Sequence, residues 1–244
     1  MSLLLTLFLL LTQPLPPQAE RAAAYIQTHR AEWYARWRDF DISPEEAEAV
    51  VYPEIVRYTV ITDIVQKALN YSTYIVMGTK GFDFSVGRFQ MKPSFVEALE
   101  KAWVESSLCR EYPDIVFDVE DSMEARRARI ERMRDESWQC RYLALFLRLF
   151  YYTYGPSLEP LDTLERLRLA ATAYNVGCAW PGEGEGDVDA LWKHAYDKTF
   201  HFELGSGKYK LGTQEPAPHW CYADLSCNWY LTLATPASPQ NQAN

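Results

Sequence analysis

The sequence has no excess of positive charge. Lys and Arg total 24 against 33 Asp and Glu, giving a net charge of −9. No basic stripe runs along it, and an acidic chain repels a phosphate backbone, so nucleic acid is excluded as a partner. Long apolar runs are lacking too. The run from Ser2 to Thr12 falls well short of the ~20 residues that a spanning helix needs, and no later stretch is long and apolar enough. Histidine is scarce: His29, His194, His201 and His219 show no metal-ligand spacing, and HExxH is absent. No metal or cofactor is expected. The glycines between Gly182 and Gly186 lack a preceding strand and a following helix of the dinucleotide-binding kind, and Glu183 and Glu185 among them repel phosphate. No motif around Cys178 supports a thiol hydrolase using His194.

What is present is ample for a core. Apolar residues make up 48% and charged residues 23%, which excludes a disordered chain. Eight Trp and sixteen Tyr exceed what packing alone requires, and rings at such density often line ligand clefts. The Leu- and Phe-rich run followed by Gln13 to Ala19 (QPLPPQA) reads as a signal peptide over residues 1–19. That implies export, to a periplasm or beyond; a buried N-terminal helix is the alternative. Five cysteines fit an oxidising compartment, with Cys221–Cys227 and Cys109–Cys140 as conceivable pairs and Cys178 left over.

Periodicity predicts a mainly α protein. Ala19 to Asp39 is expected as a helix, with Tyr25, Trp33, Trp37 and Phe40 recurring at helical spacing. Ser43 and Glu46 form a capping-box pattern for a helix from Pro44 to about Tyr58, which Pro53 should kink or restart. Further helices are expected from Arg57 to Met77, Pro93 to Leu108, Gln139 to Tyr152, Leu161 to Tyr174 and Val188 to Phe200. The charged segment Asp121 to Trp138 reads as a solvated helix. From Gly205 onward, Gly, Pro, Tyr and Trp replace helix signals, so residues 205–244 read as an irregular aromatic-rich extension of a domain spanning 20–204.

Three segments carry candidate chemistry. They are Tyr52-Pro53-Glu54, then Gly87-Arg88-Phe89-Gln90-Met91-Lys92-Pro93 with Ser85 just before it, then Ala171-Thr172-Ala173-Tyr174-Asn175-Val176-Gly177. A Glu on a helix, then G-x-x-Q-x-x-P, then A-x-A-Y-N-x-G, in that order, resembles the soluble lytic transglycosylases and goose-type lysozymes. The resemblance spans about residues 45–200. Two departures stand out: Ile55 occupies the place of the Ser that follows the family's Glu, and the stretch between Glu54 and Gln90 is longer than in the family.

The resemblance implies a lysozyme-like helical domain acting on peptidoglycan glycan strands. Glu54 would be the single acid/base, protonating the leaving oxygen and then taking a proton from the muramic 6-hydroxyl. Its neighbours Val50, Val51, Tyr52, Pro53, Ile55 and Val56 are apolar, compatible with a raised pKa. Gly87 would let the backbone approach sugar, Phe89 would pack on it, and Gln90 would hydrogen-bond it or orient the Glu. Ser85 would bind an acetamido or lactyl group. Tyr174 would set its hydroxyl near the reacting sugar, and Asn175 would brace the turn. Asp63 and Asp83 are the other candidate acids. A hydrolytic muramidase and a non-catalytic wall-binding protein are the alternatives. The geometric discriminator is whether Glu54 comes within hydrogen-bond reach, directly or through one water, of a sugar placed between Gln90 and Tyr174.

Overall fold

The sequence around Glu54 is apolar on every side of a helix, and such a helix has to be enclosed. In the computed structural model, which describes residues 16, 18–58, 64–80, 83–196, 199–201 and 219–234, that helix is Pro44–Arg57, here α2, with α1 (Ala19–Arg38) before it. Every residue of α2 from Ala47 to Val56 is buried. Its start is set by Ser43, whose Oγ accepts the Glu46 N–H at 3.3 Å, and by Pro44 in the first turn. The Glu46 carboxylate does not complete the capping box, because it accepts the Tyr151 hydroxyl instead. Pro53 neither breaks nor restarts the helix, which runs on to Arg57.

The remaining helices are α3 (Ile64–Met77), α4 (Pro93–Glu105), α5 (Met123–Arg134), α6 (Glu136–Leu158), α7 (Thr163–Val176), the single turn α8 (Asp189–Trp192) and α9 (Tyr222–Ala234). Helices α1, α6, α7 and α9 pack around α2, while α5 packs on α3, α4 and α6, and α4 packs on α6. The 23-residue α6 is therefore the shared spine, buried along Tyr142–Leu147 and anchored by Asp135 as its N-cap. α7 carries the complete capping box, Asp162 and Glu165 each bonding the other's N–H at 2.9 Å. Two short strands, β1 (Thr199–His201) and β2 (His219–Cys221), pair antiparallel with Phe200 opposite Trp220. The protein is mainly α, as expected.

Four expectations are corrected. The tail is not irregular throughout: α9 is a helix whose Tyr222, Leu225 and Cys227 are buried, and the Tyr222 hydroxyl donates to the Val50 carbonyl at 3.0 Å. The Gly/Pro-rich run up to Pro218 hides this helix in the sequence. The helix expected over Val188 to Phe200 is only α8, followed by β1. The charged helix α5 is not simply solvated, since Arg126 and Arg129 are buried. Arg129 and Arg132 converge on the fully buried Glu100 at 2.7 and 2.8 Å, with the Tyr142 hydroxyl donating to the same carboxylate at 2.5 Å. Finally, all five cysteines are free thiols, so neither conceived disulfide forms. Of the signal peptide expected over residues 1–19, residues 1–15 and 17 lie outside the described residues, as do residues 205–218 and 235–244 of the extension.

Candidate active site

Glu54 sits in the last turn of α2, with only 5% of its surface exposed. Among the described residues its Oε2 is enclosed without a hydrogen-bond partner. A carboxyl in that position resists ionisation: burial pushes it up to about 7, against the weaker downward pull of the Arg57 and Lys92 cations. It opens onto a cleft of about 440 Å³ together with Ser85, Gln90, Tyr174 and Asn175. Glu54, Gln90 and Tyr174 thus line one and the same cleft.

The cleft walls come from the C-terminal ends of α2 and α7, the N-terminus of α4 and the turn before α4. That turn is a tight reversal in which the Val86 N–H donates to the Met91 carbonyl at 2.8 Å. Gln90 holds a left-handed backbone, φ 51°, and its Nε2 donates to the Gly87 carbonyl at 2.6 Å. The remaining amide oxygen and the second amide proton are what Gln90 can offer a ligand. Tyr174 is buried, its hydroxyl donating to the Phe89 carbonyl at 2.8 Å, and burial holds that hydroxyl protonated well above the ordinary range. Asn175 follows at the end of α7, where Gly177, φ 82°, terminates the helix.

Two site residues lie elsewhere than expected. Phe89 does not line the cleft; it is fully buried, its ring meeting Trp33 edge-on at 5.2 Å. Alternation through the reversal turns Phe89 inward while Gln90 faces out. Gly87 is also absent from the cleft wall. A Cβ there would lie 2.0 Å from Nε2 of Gln139, so the glycine makes room for a buried side chain rather than for sugar. The glycine that suits close approach of a ligand is Gly177, which lines the cleft and whose added Cβ would meet nothing within 4 Å.

Asp83, a second candidate acid, also lines the cleft. Its two oxygens accept the Ser94 N–H at 3.0 Å and the Ser94 hydroxyl at 2.8 Å, which commits it to capping α4. Asp63 lies outside the described residues. Arg57, which the sequence offers with Asp63 as part of a polar network near the site or as a surface pair, lines the cleft; sequence reasoning missed Lys92 as its second cation, and Phe95, Cys178 and Trp180 as part of its wall. Trp180 and Phe95 each meet Phe146 of the core. Burial pushes the Cys178 thiol up to about 12, which favours the protonated thiol over the thiolate. Tyr222 was missed as well: it lies beneath the site, close enough to Glu54 for the two to repel as anions. Its position past Pro218 gave no signal that α9 would return to α2.

Among the described residues, no group of three or more His, Cys, Asp or Glu is placed to hold a metal ion, and no helix is long and apolar enough to cross a membrane. The chain matches no protein-family model, no curated protein and no solved structure.

Proposed function

We propose that this protein is a peptidoglycan glycosidase of the lytic transglycosylase type, with Glu54 as its one catalytic acid/base. The observation that supports this most directly is a buried carboxyl, raised to about 7, opening onto a cleft beside Gln90, Tyr174 and Asn175. An acid with that pKa keeps a substantial protonated fraction at neutral pH and both gives up and recovers its proton readily, which is what cleavage of a glycosidic bond by a single acid/base requires.

The steps follow from one carboxyl. Glu54 donates its proton to the bridging oxygen as the bond from that oxygen to the muramic C1 breaks. The departing sugar leaves with a 4-hydroxyl, and Glu54 is left as a carboxylate. The muramic 6-hydroxyl then bonds to C1, and its proton returns to Glu54. The product is a 1,6-anhydro end, no water is consumed, and the acid is regenerated. The substrate's own acetamido group would shield the charge at C1 between the two steps, so a second carboxylate is not needed. This agrees with the engagement of Asp83 by Ser94. Gln90, Ser85 and Asn175 supply amide and hydroxyl groups suited to sugar hydroxyl and acetamido functions, and Trp180 and Phe95 supply apolar wall. Exported peptidoglycan would place the protein outside the cytoplasm, consistent with the leader-like run from Ser2 to Thr12.

The test is digestion of purified sacculi by wild type and Glu54→Gln, with mass spectrometry of the released fragments. Anhydro-muramic ends from wild type, and turnover lowered at least about 100-fold in Glu54→Gln, are expected. Reducing ends would make the protein a hydrolytic muramidase. Binding to sacculi without cleavage by either form would make it a wall-binding protein on the same scaffold.

A further inference from the structure

We infer that Gln139 is a positioning residue: it fixes, through the Phe89 peptide, the strained turn that presents Gln90 to the cleft. A non-glycine residue at positive φ is strained and persists only where its surroundings over-determine it. Gln90 has φ 51°, and the over-determination is found one residue earlier. The Phe89 N–H donates to Oε1 of Gln139 at 2.9 Å. The Phe89 carbonyl accepts the Tyr174 hydroxyl at 2.8 Å. Its ring is held against Trp33. Helices α6, α7 and α1 thus each grip one part of Phe89, and Gln90 has no freedom to relax.

Gln139 is itself immobile. It is 2% exposed, and its Nε2 donates to the Met133 carbonyl at the end of α5 at 2.9 Å. The contact with Gly87 completes the fit, because any side chain at 87 would occupy the space of the Gln139 amide. The glycine of the G-x-x-Q segment and Gln139 are therefore complementary parts. An amide is the group this position needs: it accepts from Phe89 with one end and donates to Met133 with the other.

The catalytic consequence rests on the glycosidase reading, so the test carries a readout that does not. Gln139→Leu and Gln139→Glu are compared with wild type for hydrogen exchange at the Phe89 amide, corrected for global stability. They are also compared for turnover of soluble glycan strands from pH 5 to pH 8. Gln139→Leu keeps the volume and leaves both partners unbonded; it should stay folded, lose Phe89 protection at least about ten-fold, and lose up to about 100-fold in turnover. In Gln139→Glu the protonated carboxyl restores both bonds, while the carboxylate faces the Met133 carbonyl with no proton. Its turnover relative to wild type should therefore be high at pH 5 and fall toward that of Gln139→Leu by pH 8. A folded Gln139→Leu with Phe89 still protected overturns the inference, as does a flat Gln139→Glu ratio where wild type is active. If wild type cleaves no glycan, the glycosidase reading fails and Phe89 exchange alone decides: lost protection upholds the role of Gln139, and retained protection overturns it.

Discussion

A carboxyl enclosed like that of Glu54 works against the fold at neutral pH. In the folded chain it keeps its proton up to about 7, while in the unfolded chain it releases it near 4.5. Between those values the folded state binds more protons, so stability falls as pH rises through that window. The contribution is fully present below 4.5 and lost above 7. Glu54→Gln removes this dependence. The variant should match wild type most closely at pH 4 and gain on it by roughly 3 kcal/mol between pH 4 and pH 8, read from urea midpoints at several pH values. A parallel pH dependence for the two proteins would show that Glu54 is not the buried acid described. The cations at the cleft act in the opposite sense. Lys92 lowers the Glu54 pKa, so Lys92→Gln should move the basic limb of the activity profile to higher pH and leave the acidic limb in place. Of the site, Glu54, Ser85, Gln90, Tyr174 and Asn175 were legible in the sequence, because each belongs to a short pattern. Phe89 and Gly87 were legible as a pattern but not as a direction. Which way a residue faces in a reversal is decided by what packs behind it, here Trp33 and Gln139.

Helices were the most legible elements, and the least legible was what their charged faces do. α1, α2, α4, α6 and α7 fall close to where periodicity and caps set them. α5 shows the limit. Its run of Arg and Glu reads as solvent-facing because charges usually are. The cluster is buried because four partners meet there: Glu97 and Glu100 from α4, Tyr142 from α6 and Tyr74 from α3, whose hydroxyl accepts from Arg129 at 2.7 Å. No local pattern announces a carboxylate that distant helices will satisfy. The cluster ties α3, α4, α5 and α6 together, and those helices carry the turn and the α4 end of the cleft. Arg129→Met should cost about 3–5 kcal/mol, since it leaves Glu100 buried with one cation fewer. Glu100→Gln in the same chain should recover part of that loss, and a double-mutant cycle from thermal unfolding measures the coupling. Additive effects would mean that the carboxylate and Arg129 are not energetically joined.

For the whole molecule, the tail matters more to the site than its composition suggested. α9 closes over α2 and α7, and Tyr222 inserts between them, fully buried, to reach the Val50 carbonyl one helical turn before Glu54. Trp229, further along α9, stacks on Tyr52 at 4.2 Å and donates to the buried Glu48 at 2.7 Å. The dry environment that raises the Glu54 pKa is thus assembled from both ends of the chain. Two substitutions at Tyr222 separate packing from hydrogen bonding. Tyr222→Phe keeps the ring that excludes water and loses one hydrogen bond; it should cost about 1 kcal/mol and leave the basic limb of the activity profile near pH 7. Tyr222→Ala opens a cavity beneath the acid and should cost about 3–5 kcal/mol. With water admitted, the desolvation that dominates the shift weakens, the Glu54 pKa falls toward 4.5, and the basic limb moves down with it. At neutral pH the folded variant would then hold Glu54 mostly as carboxylate, with no proton to donate. The measurement is the pH profile of glycan cleavage below the melting temperature of each variant. If Tyr222→Ala keeps its basic limb near pH 7 while folded, the walls of the cleft alone keep Glu54 dry, and α9 serves stability without tuning the acid.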